Sequence, residues 1–487
     1  MGRWGVGQVV LAAAVVGLIT RLGTLAPFVL GGLLVVASVV AIQWRQRRST
    51  RPELDPSWFV APLTISWLLL LLLPVHKFSH RGYSDTGPSL SLESFVEVLV
   101  FAGVALVALA VLRSLEPTLA VARPPLVLFL FPVWTATTGL WSATGAFAMV
   151  RGAQMAVVAL LAWATIALAR ADDAALREVV ESVLRWFVRI ALGLVALGVA
   201  FGPQYVVTSD ENRDRFTWIG AHPLLAGLIL SVAFVIVAAT PARVLRMPAW
   251  MRVASAVVLI AALVPNHSRQ SWLGIAVALV VALILAGRLN PLFRWIGAPL
   301  VGAGVVASIM YAGPQLWDYV LRNEESETLG TGNGRLGLWS IAYRHLETTF
   351  DWMAGLGHGV TRTVFVADEP WARTAHSSFL AALVATGLIG MFLFVVTLVL
   401  ITRDIARARL WEQAPTGLTL TLLYVVILLN AVVADSLAEP TLGFAMLYLI
   451  AAVAAVGRAR RSVAPDVAHP ARAEGTGVTP VSQALRP

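Results

Sequence analysis

The chain has 487 residues, 58% of them hydrophobic and 13% charged, a formal net charge of +9 and no cysteine. A soluble domain carries roughly twice that charged fraction, so lipid is the main solvent; without cysteine, disulfides, thiolate metal ligands and cysteine nucleophiles are excluded. Lys77 is the sole lysine, and the arginine excess follows from the positive-inside rule without a nucleic-acid partner.

The opening stretch MGRWGVGQVVLAAAVVGLIT has the profile of a secretory leader, but with a dozen further apolar runs behind it the better expectation is a retained first helix. Spans of about 20 residues are predicted near 5–22, 24–43, 58–75, 94–112, 124–142, 146–169, 184–203, 219–240, 252–266, 271–287, 294–312, 376–402, 416–434 and 440–457. The fold class is therefore an all-α polytopic integral membrane protein with about fourteen helices, or twelve if short hairpins are dropped. Arginine clusters at RQRRSTR (45–51), 170–185, 242–252, RDIARAR (403–409) and RARR (458–461) fall on one side. That side is assigned to the cytoplasm together with both termini.

Four parts are expected: N-terminal helices over 1–210, a core over 211–402, C-terminal helices over 403–457, and a tail over 458–487. The tail is Pro/Ala/Gly-rich and lacks an apolar period, so it is read as a disordered cytoplasmic segment. Within the core, the outer loop 313–375 is far longer than an ordinary connection. It contains an amphipathic stretch, GRLGLWSIAYRHLETTF (334–350), and reads as a lid or site wall.

Polar residues converge on that outer face. Arg215 in ENRDRFTWIGAHP precedes the eighth span, Arg269 in PNHSRQSWLG precedes the tenth, Arg335 lies in the long loop, and Arg151 sits near the outer end of the sixth. An arginine at a span boundary often only snorkels to headgroups. Basic residues are depleted on this side, however, and two of them near helix N-termini suit an anionic ligand. His376 opens the twelfth span; a helix cap or a satisfied interfacial histidine is the alternative to a functional role. Trp218, Trp272 and Trp339 read as interface anchors. Taken as one continuous helix, Gly387 lies about 20° from His376 and Gly390 about 40° to the other side. The two glycines would then admit a neighbouring helix and fix the histidine at the tip. The first-turn N–H groups, with Ser377 or Ser378 as caps, would favour the neutral imidazole that a general base requires.

HSSFLAALVATGLIG (376–390) resembles the His-Ser, nine residues, Gly-x-x-Gly signature of the O-antigen ligase and polymerase superfamily. SRQSWLG (268–274), RFTWIGAHP (215–223) and GRLGLWSIAYRHLETTFDWMAGLGHG (334–359) resemble further segments of that family, in the same order. Gln270 replaces the usual glycine after the arginine, and the first two hundred residues match only in hydropathy. The resemblance implies a GT-C-like membrane glycosyltransferase in the cytoplasmic membrane with an extracytoplasmic active site. It would move a glycan from a polyprenyl (undecaprenyl or decaprenyl) diphosphate carrier to a hydroxyl of a glycan, glycolipid or protein acceptor. His376 would be the general base, Arg215 and Arg269 would bind the donor diphosphate, and Arg335 or Arg151 would touch acceptor or phosphate. No cofactor and no obligatory metal are expected, since arginine forks supply the positive charge; Asp210, Glu211 and Asp214 leave the metal question open. A polymerase joining carrier-linked repeats shares these motifs. A lipid-linked oligosaccharide flippase is disfavoured because charges lie towards span ends rather than mid-membrane. A non-enzymatic scaffold leaves the arginine–histidine set unexplained.

Overall fold

The structure is a computed structural model and describes residues 55–72, 92–115, 125–200, 207–210, 213–218, 223–289, 335–360, 376–413 and 415–463. The spans expected at 5–22, 24–43 and 294–312, and the tail beyond 463, lie outside the described residues.

Membrane-length helices dominate. In chain order they are α1 (Val60–Leu72, entered through a 3-10 turn at Pro56–Phe59), α2 (Leu92–Ser114), α3 (Val127–Thr137), α4 (Gly145–Ala171) and α5 (Asp173–Ala200). A hairpin follows, β1 (Val207–Asp210) and β2 (Arg213–Phe216), and then α6 (Pro223–Ala239), α7 (Ala242–Leu245), α8 (Ala249–Asn266) and α9 (Arg269–Leu289). The remaining elements are α10 (Arg335–Arg344), α11 (Thr349–Ala354), α12 (Ser378–Ala408), α13 (Gly417–Val433) and α14 (Leu442–Val463). Among the described residues, seven helices are long and apolar enough to cross a membrane, and four shorter apolar ones accompany them. Each of the eleven predicted spans that falls on described residues coincides with one of these.

Burial separates the centre from the rim. The apolar window of α14 is 78% buried, whereas those of α8 and α9 are only 28% buried. The outer pair accordingly presents Val253, Val257, Leu279 and Ile284 to the surroundings, as a lipid-facing helix must. Small residues set the closest approaches. Gly152 of α4 lies against the backbone of Ala136 on α3, and Gly227 of α6 lies where a Cβ would sit 2.6 Å from Ser268 Cβ.

Three local features differ from the sequence reading. The β1–β2 hairpin is the first: an antiparallel pair in register Val207↔Phe216 and Thr208↔Arg215 interrupts the helical plan. Second, the stretch read as one amphipathic helix over 334–350 is two helices, parted at Thr348. The Thr348 hydroxyl caps α11 by accepting from Asp351 N–H at 3.1 Å, while the Asp351 carboxylate accepts from Thr348 N–H at 2.9 Å. This reciprocal capping box starts a new helix instead of extending the old one.

The third is α12, which is broken at Gly387 (φ 66°, ψ −172°). The carbonyls released just before the break are taken up by a turn: Leu356 N–H donates to Val384 O and Gly357 N–H to Ala385 O, both at 2.9 Å. Trp134 Nε1 donates to Thr386 O at 2.8 Å, and Trp141 Nε1 to Gly355 O at 2.9 Å. Gly355, Gly357 and Gly359 all have positive φ, so the Gly-x-Gly-x-Gly segment folds tightly against both α12 and the α3–α4 turn. The Leu388–Ala408 part alone spans about 31 Å, the thickness of a bilayer's hydrocarbon core.

Candidate functional site

Arg215 is delivered by β2, not by the helix N-terminus expected from sequence. It is 6% exposed, and its Nε donates to the carbonyl of Asn266, the last residue of α8, at 3.0 Å. The guanidinium therefore meets the carbonyl end of a helix, where positive charge is favoured. Asn266, fully buried, fastens the surroundings: its Nδ2 donates to Phe216 O at 2.7 Å and to Pro223 O at 3.0 Å. One amide side chain thus ties β2, the start of α6 and the end of α8 together.

The chain then reverses through His267 in the left-handed region (φ 52°) and Ser268, whose hydroxyl lies 2.8 Å from that of Ser271. Arg269 is the first residue of α9, as its sequence position suggests. Arg215 and Arg269 therefore flank the same turn. Trp218, expected as an interface anchor, is instead 2% exposed and belongs to the core.

His376 lies two residues ahead of α12, with a left-handed backbone (φ 50°). The face shared with Gly387 and Gly390 presumed an unbroken helix that includes the histidine; neither condition holds. The glycines are close-approach positions nonetheless. A Cβ on Gly387 would strike the Met353 carbonyl at the end of α11, and one on Gly390 would sit 2.6 Å from Trp134 Cδ1. Ser377 occupies the N-cap without a side-chain capping bond. Its N–H instead donates to Asp435 Oδ1 at 2.9 Å. The Ser378 hydroxyl donates to Ala434 O at 2.7 Å and accepts from Leu437 N–H at 3.0 Å. The segment after α13 thus clamps the two residues that follow the histidine. In the sequence Asp435 is an isolated acid between two apolar runs. Fifty-eight residues separate it from Ser377, and nothing in the local pattern links them.

The two halves of the constellation are joined by α9 and α13, which pack side by side with a Cβ on Gly274 meeting Val426 Cγ1 at 3.3 Å. Arg269 begins α9, and Asp435 lies two residues beyond the end of α13. Arg335 is the first residue of α10, a helix that packs on α12 through a face containing buried Ile341 and Ala342. The Arg335 side chain lies outside the description.

Arg151 is placed differently. It is 7% exposed, ion-paired with Glu97 of α2, and its Nη1 donates to Gln154 Oε1 at 2.9 Å. Its guanidinium lies 5.0 Å from the centre of the Phe147 ring, which in turn stacks on His358 at 6.2 Å. Its charge is matched within the helix bundle, and the stack buttresses the glycine turn. Among the described residues, no group of three or more His, Asp or Glu side chains has a metal-holding arrangement.

Among the described residues, eleven apolar helices, seven of them long enough to cross a membrane, define a polytopic α-helical membrane protein. Residues 254–395, which include Arg269, Arg335, His376 and the broken helix, match the family model described as O-Antigen ligase. Over that stretch the chain is similar to O-antigen ligases, and the apolar helices among the described residues are those of a multi-pass membrane protein. A search of curated proteins finds no match.

Proposed function

We propose that the protein is a glycosyltransferase that moves a glycan from a polyprenyl diphosphate to an acceptor hydroxyl at the extracytoplasmic face of the cytoplasmic membrane. One observation carries this reading. His376 is held in left-handed backbone beside Ser377, whose N–H donates to Asp435, and Arg215 and Arg269 flank the turn between α8 and α9. Non-glycine residues in that backbone region persist only where the surroundings hold them, and such sites cluster where function needs a fixed geometry.

In the reaction, the acceptor oxygen forms a bond to the anomeric carbon as the bond from that carbon to the diphosphate oxygen breaks. The electron pair leaves with the diphosphate, and the acceptor proton passes to His376. Arg215 and Arg269 stabilise the developing negative charge, a preorganised positive pair doing what a metal does in other transferases. The Asp435 carboxylate holds the Ser377 N–H and so fixes the backbone that carries the histidine. Arg335 is assigned to acceptor or second phosphate. Arg151, with its charge matched by Glu97, is assigned to supporting the turn that grips α12.

The test is transfer by the purified chain in liposomes supplied with carrier-linked repeat units and a defined acceptor. His376→Ala is expected to abolish transfer while the protein remains monodisperse, since a positioned base contributes about 10²–10⁴ in rate. Near-normal turnover by that variant overturns the assignment. A ladder of products identifies a polymerase; a single shift of the acceptor identifies a ligase.

A further inference from the structure

A second charged constellation gathers where α5 packs on α7 and α8, on residues assigned no role above. Arg185 and Arg189 lie one turn apart on α5, on one face. Arg185 is buried; its Nε donates to Val244 O of α7 at 3.1 Å, and its Nη2 lies 3.7 Å from Glu178 Oε1. The same carboxylate oxygen is 3.6 Å from Nη2 of Arg246 and accepts the Ser182 hydroxyl at 3.1 Å. Two guanidiniums therefore share one oxygen. Arg246 follows α7 in the left-handed region (φ 52°), and its side chain is 62% exposed. The Arg189 guanidinium lies 5.0 Å from the centre of the half-exposed Trp186 ring, one turn beyond the Arg185 that shares Glu178 with Arg246. With Arg177, Arg243 and Glu181, five arginines gather about two carboxylates among the described residues.

The corner opens onto apolar surface. Gly193, one turn further along α5, has nothing within 4 Å of where a Cβ would be. On α8, which packs on α5, Trp250 is 72% exposed, Val253 64% and Val257 62%. Like charges held together beside an indole and an aliphatic strip fit a ligand with an anionic head and hydrocarbon chains. Guanidinium forks match phosphate oxygens, and basic recesses between helices at the arginine-rich surface are suited to anionic headgroups.

We propose that the corner formed by α5, α7 and α8 binds an anionic diacyl phospholipid, its phosphodiester between Arg189 and Arg246 and its chains along Gly193 and the exposed valines. This does not depend on the transferase reading, because the readout is retained lipid and requires no turnover. The full chain is reconstituted with mixed phosphatidylglycerol and phosphatidylcholine, and the lipid retained is measured by native mass spectrometry. Wild type is expected to retain phosphatidylglycerol in preference. Arg189→Gln and Arg246→Gln should each lower that retention about fivefold, while Arg403→Gln, an exposed arginine of α12, leaves it unchanged. Undiminished preference in the double variant, or an equal loss in Arg403→Gln, overturns the site. Stabilisation of wild type by inorganic phosphate, without retention of phosphatidylglycerol, shows a free-phosphate site and overturns the lipid assignment. If Arg189→Gln does not yield monodisperse protein, the exposed Arg246→Gln alone decides.

Discussion

His376 holds a backbone conformation that costs about 1–3 kcal/mol for a residue with a Cβ, and the bonds around Ser377 and Ser378 keep it there. Asp435 is the residue through which that geometry can be tested. Asp435→Asn retains an oxygen able to accept the Ser377 N–H, whereas Asp435→Ala removes it. If clamping matters for chemistry, Asp435→Ala should lose about 10² in kcat with little change in donor KM, and Asp435→Asn should lose clearly less. A matching loss in the two variants would assign the effect to charge instead. At Asn266, both side-chain hydrogen bonds end on buried carbonyls, so Asn266→Ala should cost about 2 kcal/mol in unfolding free energy. Because Asn266 anchors the strand that carries Arg215, it should also raise the donor KM. His376 and Arg269 were legible in sequence because they lie in short motifs at span ends. Asp435 and Asn266 were not, because their partners come from other helices and only packing reveals them.

At the scale of elements, helix positions were readable from hydropathy alone, since an apolar run of bilayer length has few other ways to satisfy its backbone. The breaks within elements were harder. Gly387 and Gly390 were seen as a pair on one helical face, but their roles differ. Gly387 is where α12 stops being helical and a neighbouring turn supplies the missing donors; Gly390 merely makes room for Trp134. The two substitutions should separate these roles. Gly387→Ala combines positive φ with a collision against the Met353 carbonyl, and should lower the thermal midpoint strongly or prevent recovery of folded protein. Gly390→Ala meets side-chain atoms, which can shift, and is expected to be milder. Trp134→Phe, which deletes the bond to Thr386 O together with part of the ring packed on Trp141 and Gly390, should cost more than about 1 kcal/mol. All three are read by unfolding of the detergent-solubilised chain. The hairpin at 207–216 was also hidden: a short two-stranded ribbon between spans gives a weak periodic signal beside the long apolar runs.

For the whole molecule, sidedness is the consequential expectation, resting on arginine distribution. The natural absence of cysteine makes it directly measurable. Single cysteines at exposed Ser340 on α10 and exposed Arg407 on α12 lie towards opposite ends. A membrane-impermeant maleimide added to intact cells should label Ser340→Cys at once and Arg407→Cys only after permeabilisation; the reverse pattern would place the histidine end inside.

The interruption in α12 also divides the molecule mechanically. Below it, a rod of bilayer length packs into the bundle through buried Phe394, Leu398, Ile401 and Ile405. Above it, about nine residues, some 14 Å of helix, are laced by hydrogen bonds to the glycine turn and to the segment after α13. The imidazole therefore travels with the extramembrane loops and not with the rod. Strain applied to the lower helix should therefore reach His376 only through the glycine turn and the segment after α13.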